Sequence, residues 1–409
     1  MTTVQTSANS QQPNTPQKLC VAMIARNAAA QVHETLESIR GLAAEIVVLN
    51  CSSSDTTAEA AAIGGARVYS HIWDDNFATA RNALLPHIRA PWILWLDAGE
   101  TMTREDLALL REFVEQCATD THAYYLRIAT PPAPGQIGGE QVARLRLHAN
   151  RPGLIFHGRV RESLQRSLTA FNIEAEHLPL TIHRGQREHD ANVKSERARR
   201  NIRLADLQIT QKGPTAEMLN CLGEAHQTLQ DYERAMQHYR RAQELAPANS
   251  TEMLEAYYGL LTCIHAPEAI VEQMQLCLAA IEQFPLDAQL LCALGGYLQN
   301  TQRIELAIRS FSLAAEHGQV NAQLWHLPEI REIAINCLCQ LLQQQGQIEA
   351  ALLALEQGLG RYPQSQRLAA QRKKLMQTIR VDETPAAPAA QQRPHVMGQI
   401  STPQISPSR

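Results

Sequence analysis

The chain has 409 residues, of which 44% are apolar and 19% charged, with a formal net charge of −4. That length allows two or three domains, and the near-neutral balance removes any general pull toward nucleic acid or an anionic membrane. No run approaches the roughly 18 apolar residues that a membrane-spanning helix needs.

Residues 1–17 are rich in Thr, Ser, Gln, Asn and Pro, so they read as disordered, with no signal peptide. The nine cysteines are scattered without a paired framework. They are expected to be buried, reduced thiols in a cytoplasmic protein.

Residues 18–192 form the first predicted domain. Short apolar runs at 19–24, 45–49, 67–69 and 92–96 read as strands, and the stretches 32–39, 57–63 and 76–88 between them read as helices. Alternation of this kind gives right-handed βαβ units and a parallel sheet. Residues 142–147 and 154–157 are expected to be further strands of the same domain.

Residues 193–378 turn helical and repetitive. Leu219, Leu222, Gly223, Ala235, Tyr239, Ala242 and Pro247 take the landmark positions of a tetratricopeptide repeat. Leu294, Gly295, Ala307, Phe311 and Ala314 mark a second copy, and Leu338, Ala351, Leu355, Gly358 and Pro363 a weaker third. The intervening 254–285 has the length of a helix pair without the landmarks, so about four pairs are expected, stacked as a solenoid. Residues 379–409 are rich in Pro, Ala, Gln and Ser and read as a disordered tail.

Four clusters fall at successive strand ends in the first domain. They are Arg26-Asn27; Asn50-Cys51-Ser52-Ser53-Ser54-Asp55; the block 73–82 with Trp73, Asp75, Phe77, Arg81 and Asn82; and Asp97-Ala98-Gly99-Glu100. Ligands of open α/β sheets collect at that edge. Ser, Asp and Thr there cap helices and leave amides for a base or phosphate, and carboxylates there can hold a divalent metal with a diphosphate.

Together these blocks resemble the family 2 glycosyltransferases of GT-A fold, in particular those that carry tetratricopeptide repeats after the catalytic domain. Gly158-Arg159-Val160-Arg161-Glu162 and His183-Arg184-Gly185 stand where that family often shows Gly-x-x-His-Glu and His-x-Gly. The resemblance implies inverting transfer of a sugar, of hexosyl type, from a nucleoside diphosphate sugar to a hydroxyl of a protein or glycan acceptor. Carried over, Asn27, Asn50 and Asp55 line the nucleoside pocket, Arg81 faces the pocket or diphosphate, and Asp97 sits by ribose and metal. Glu162 is the candidate base, assisted by Arg161, and Asp97, Glu100 and His183 are candidate ligands for Mn or Mg. The repeats imply a protein partner.

The chain departs from the family at three acids, with Ala28, Asn50 and Gly99 in their places. Gly99 is the gravest, because the missing carboxylate there binds metal in the family. Restoring it by Gly99→Asp is expected to strengthen a metal response, and Arg161 is expected to stand in for part of the lost positive charge. Two functions therefore stand open: a glycosyltransferase, or a catalytically degenerate domain that serves with its repeats as a protein-interaction scaffold.

Overall fold

The computed structural model describes residues 18–382, apart from 43, 118–121, 135–137 and 265. The ends expected to be disordered lie outside these residues, except 379–382, where the last helix continues.

The first unit runs β1 (Leu19–Ala25), α1 (Ala29–Ser38), β2 (Glu45–Cys51), α2 (Thr57–Ile63), β3 (Arg67–His71), α3 (Phe77–Leu84) and β4 (Trp92–Trp95). It continues with β5 (Glu100–Met102), α4 (Arg104–Gln116), β6 (Ala123–Thr130), β7 (Glu140–Ala149), α5 (Gln165–Ala170) and β8 (Ala175–Arg184). One sheet has the order β3-β2-β1-β4-β7-β6-β8-β5. Its first four strands are parallel, as the βαβ pattern predicts; β7 then runs antiparallel to β4, which makes the whole sheet mixed.

β4 shows why this half is buried on both faces. Trp92, Leu94 and Leu96 join the core layer with α1 and α4, while Ile93 and Trp95 join the layer with α3 and α5. Each fully buried aliphatic side chain of this kind contributes about 1.5–3 kcal/mol.

The expected strand at 154–157 is absent. Leu154 and Phe156 go into the core, but the chain then turns through Gly158 and Arg161, both at positive φ, and only an isolated bridge links His157 to Ser163.

The second unit is helical: α6 (Ala191–Lys212), α7 (Ala216–Thr228), α8 (Tyr232–Leu245), α9 (Thr251–Cys263), α10 (Ile270–Gln283), α11 (Ala288–Asn300), α12 (Ile304–His317), α13 (Ile330–Gln344), α14 (Ile348–Arg361) and α15 (Gln366–Asp382). Thr215, Ser250 and Asp287 cap α7, α9 and α11 by accepting backbone N–H bonds, which fixes where those helices begin. Four helix pairs, α7/α8 to α13/α14, follow one another as the spacing predicts. Their close packing explains two small residues. A Cβ at Gly223 would meet the Tyr239 ring at 2.7 Å, and one at Gly259 would come closer still to the same ring. Gly259 thus supplies a small-residue contact in the pair that lacks the repeat's signature.

The segment between α12 and α13 returns to the sheet. Gln141 and His326 exchange backbone bonds of 2.9 and 3.0 Å, Ala143 N–H donates to Ala322, and Trp325 packs on the sheet's core.

Candidate active site

The carboxyl ends of β1 and β2 lock together. The Asn27 backbone N–H donates to Ser53 Oγ at 3.0 Å, and Asn27 Oδ1 accepts from Ser54 N–H at 2.8 Å. Asn50 Oδ1 accepts from Ser53 N–H at 3.2 Å. Asp55 accepts from the Thr57 hydroxyl and backbone N–H and from the Ala29 N–H. The Thr57 hydroxyl is the chief reason that the Asp55 carboxyl lies below its ordinary range. Both asparagine oxygens therefore serve the loops. Neither amide nitrogen has a partner among the described residues, so both point to use as donors.

The block 73–82 organises the loop that carries Glu162. The N–H groups of Phe77 and Ala78, orphaned at the start of α3, donate to the carbonyls of Arg159 and Gly158. Asn82 exchanges bonds of 2.9 and 2.7 Å with the Phe156 backbone. Arg81, buried against Trp95 and Phe156, donates from Nε to Glu162 Oε1 at 2.7 Å and from Nη2 to Asp97 Oδ1 at 3.0 Å. Residues far apart in the chain thus converge on one guanidinium.

Gly99 makes the next turn. At φ +93° it lets the chain reverse, with Glu100 N–H bonded to the Asp97 carbonyl at 2.9 Å. The turn swings Glu100 in beside Asp97, where its Oε2 accepts from Asp97 N–H at 2.9 Å. A Cβ at 99 would lie against Gln31, at 3.5 Å from its Cγ.

Arg146 of β7 fills the space between the two acids. It donates to Asp97 Oδ2 at 2.7 Å and to Glu100 Oε1 at 2.8 Å, and Arg184 reaches the same Glu100 oxygen at 3.2 Å. The Asp97 side chain keeps 39% of its surface exposed, whereas Glu100 keeps 3%. Crowding opposes ionisation of Asp97, but Arg146 and then Arg81 outweigh it and hold the carboxyl well below the usual range.

This donor set does not fit a divalent cation. Both oxygens of Asp97 and both of Glu100 are engaged. A metal needs free hard oxygens, and here it would be pressed against two guanidinium groups. Among the described residues no group of three His, Cys, Asp or Glu has the geometry to hold a metal.

Asp97 and Glu100, the candidate metal ligands, both serve arginines in this structure. His183 is also displaced. It pairs with Thr101 while Arg184 pairs with Glu100, and strand alternation puts His183 on the opposite face.

Arg161 is displaced as well. At φ +53° it turns away from Glu162 and ion-pairs with Glu224 of α7 at 2.5 Å and Glu255 of α9 at 2.7 Å. Burial disfavours its charge, and Glu255 and then Glu224 outweigh that and push it above the usual arginine range. Its neighbours follow it: Val160 packs with Leu204, Ala205, Met218 and Leu222, and Arg159 bonds Gln208 and Gln211.

The sequence reading missed Arg146, Arg184 and the acids on α7 and α9. One available signal was Arg146 itself, a charge set among Leu145, Leu147 and His148 in an otherwise buried stretch of β7, which demands acid partners.

The chain thus joins an α/β unit with an acid-lined carboxyl edge to a set of stacked helix pairs. Residues 20–130 match the family model for glycosyl transferase family 2, and residues 216–249 match that for the tetratricopeptide repeat. A glycosyltransferase family 2 domain is therefore followed in this chain by tetratricopeptide structure.

A TPR repeat-containing protein of Synechococcus elongatus is 29% identical over 153 residues, which is 37% of this chain and 37% of that protein. The match spans little more than a third of that relative's length. Among solved structures, a MamA RS-1 ArsTM double mutant has a TM-score of 0.31 at 16% identity, covering 47% of this chain and 96% of that one. A thermophilic TPR protein of Thermus thermophilus has a TM-score of 0.30 at 16% identity, covering 44% and 92%. At these scores the two likenesses carry no weight for the fold, which stands on its own elements.

Proposed function

We propose that the first unit binds a nucleoside diphosphate sugar at the carboxyl ends of β1, β2 and β4 and transfers the sugar to a hydroxyl acceptor with inversion. Asn27, Asn50 and Asp55 receive the nucleoside, with the two free amide groups as donors to base carbonyls. Asp97 faces the ribose. The acceptor oxygen attacks the anomeric carbon as the bond to the diphosphate oxygen breaks, and Glu162 takes the acceptor's proton. Glu162 keeps Oε2 for this task, since among the described residues Arg81 engages only Oε1.

The observation that carries this reading is the Arg81 bridge. It joins Asp97, at the end of β4, to Glu162, in a loop 65 residues further on. We assign the partner side to the repeats, where Val271, Leu278, Leu306 and Leu353 are exposed on α10, α12 and α14. No described helix is long and apolar enough to cross a membrane. All nine cysteines are free thiols, which supports a reducing, cytoplasmic setting.

One observation favours the alternative, a degenerate domain serving as scaffold: Asp97, Glu100 and Glu162 are all ion-paired to arginines of the chain itself. The deciding experiment titrates the full chain with a panel of nucleoside diphosphate sugars by calorimetry, then follows release of nucleoside diphosphate with candidate acceptors. Binding with turnover that Glu162→Gln abolishes supports the transferase. Binding without turnover supports the scaffold, and no binding to any donor overturns the sugar-nucleotide reading.

A further inference from the structure

Helix α6 packs on α7, meets the start of α3 through Phe77, and carries four arginines. Arg197 bonds Glu188 and Arg203 bonds Asp75. Arg200 has no carboxylate within ion-pair distance among the described residues. Its guanidinium lies over the Phe77 ring, 4.9 Å from the centroid, and donates only to the amide oxygen of Asn201 at 3.0 and 3.2 Å. Desolvation pulls it below the usual arginine range, Arg197 adds to this, and Glu162 and Asp97 oppose it. Phe77 opens α3, the helix whose Arg81 bridges Glu162 and Asp97, so the stack fixes the guanidinium one helical turn from that bridge.

Asp97, Glu100 and Glu162 each have a cation already. Two buried guanidinium nitrogens still lack partners, Arg81 Nη1 and Arg146 Nε, on side chains that are each only 6% exposed. The unmet demand on this side is therefore for an anion. A partly desolvated guanidinium without a counter-charge is costly, and its planar fork suits phosphate oxygens.

We propose that Arg200 binds the diphosphate of the donor, and that guanidinium charge does at this site the work of a divalent cation. The proposal rests on the nucleoside diphosphate sugar reading above and adds a residue and a charge source to it. It also gives the helical unit a direct part in donor binding, because α6 is the first helix of that unit.

The test uses the full chain and calorimetry in EDTA with UDP, GDP, CDP and dTDP, each beside its nucleoside. One diphosphate is expected to bind in EDTA, with an affinity that Mn²⁺ changes by no more than about threefold. Arg200→Gln is expected to weaken that diphosphate by roughly 10- to 100-fold, the range for a hydrogen bond to a charged group, and to leave the nucleoside unchanged. Arg200→Lys retains part of the affinity and carries the test if the glutamine variant unfolds on melting. Arg199→Gln, one residue away, leaves both ligands unchanged.

Diphosphate binding that appears only with Mn²⁺, or an Arg200 variant that weakens nucleoside and diphosphate alike or neither, overturns the proposal and leaves the sugar-nucleotide reading standing. Failure of every nucleotide to bind, with and without Mn²⁺, overturns both.

Discussion

The molecule holds two arginine–carboxylate networks, one at the carboxyl edge of the sheet and one between the sheet and the first helix pairs. At the sheet edge, Arg146 and Glu100 are 7% and 3% exposed; at the junction, Arg161 and Glu224 are 24% and 52% exposed. The first is a buried lattice in which each charge is held by several partners. The second is a clamp in water's reach that ties the Glu162 loop to α7 and α9. The difference teaches where each network acts: the inner one sets the charge at the sheet edge, and the outer one sets the position of a loop.

Breaking the inner network is the largest effect expected. Arg146→Ala leaves the Glu100 carboxylate, 3% exposed, with Arg184 as its remaining cation. Stripping a partner from a buried pair costs about 3–5 kcal/mol, to be read by denaturant unfolding of the full chain.

The floor of the same network gives a pH signature. His148 is buried, its Nε2 accepts from Trp95 Nε1 at 3.0 Å, and its Nδ1 faces the Ala149 carbonyl at 2.8 Å, so the neutral Nδ1–H form fits. Burial lowers its pKa to about 4, with the Ala149 bond opposing and Arg81 assisting. The folded value lies below the unfolded one, so the unfolded chain binds the proton first. The contribution is complete above pH ~6.5 and is lost as pH falls toward 4, up to about 3 kcal/mol at 1.4 kcal/mol per unit. His148→Gln keeps an acceptor for Trp95 and is expected to flatten stability over that window.

Gly99→Asp sharpens the contrast between a missing metal ligand and a required turn. The φ of +93° strains any side chain there, and its Cβ would lie against Gln31. A loss of about 1–2 kcal/mol is expected, with no gain in Mn²⁺ affinity by calorimetry. That replaces the expectation from sequence that the substitution would restore metal binding.

Arg161→Ala is the smallest change, about 1 kcal/mol, because solvent screens its pair with Glu224, 52% exposed, while its pair with Glu255 is more enclosed. Moderate salt should weaken the same contact. Donor affinity is expected to hold while turnover falls, since the clamp acts on the Glu162 loop alone.

The parallel half of the sheet and the helix pairs were legible because they rest on periodicity. Runs such as 92–96 are apolar on both faces, and Gly223 and Tyr239 meet at fixed spacing. The Trp73 block was legible as a motif, but its work was not, because the bonds from Phe77, Arg81 and Asn82 all reach a loop some 80 residues away. Arg146 and Arg184 escaped because long-range pairing, not local pattern, gives them acids. Arg161 and Glu162 show the limit most sharply: adjacent residues were assigned to one task, and a single positive φ sends them to different units.

The central claim is that the loops after β1, β2 and β4 form the donor site. Amide hydrogen exchange of the full chain, with and without a saturating nucleoside diphosphate sugar, tests it most directly. The account predicts slowed exchange at 26–30, 52–57 and 97–100. Bound donor with unchanged exchange in all three loops would contradict it.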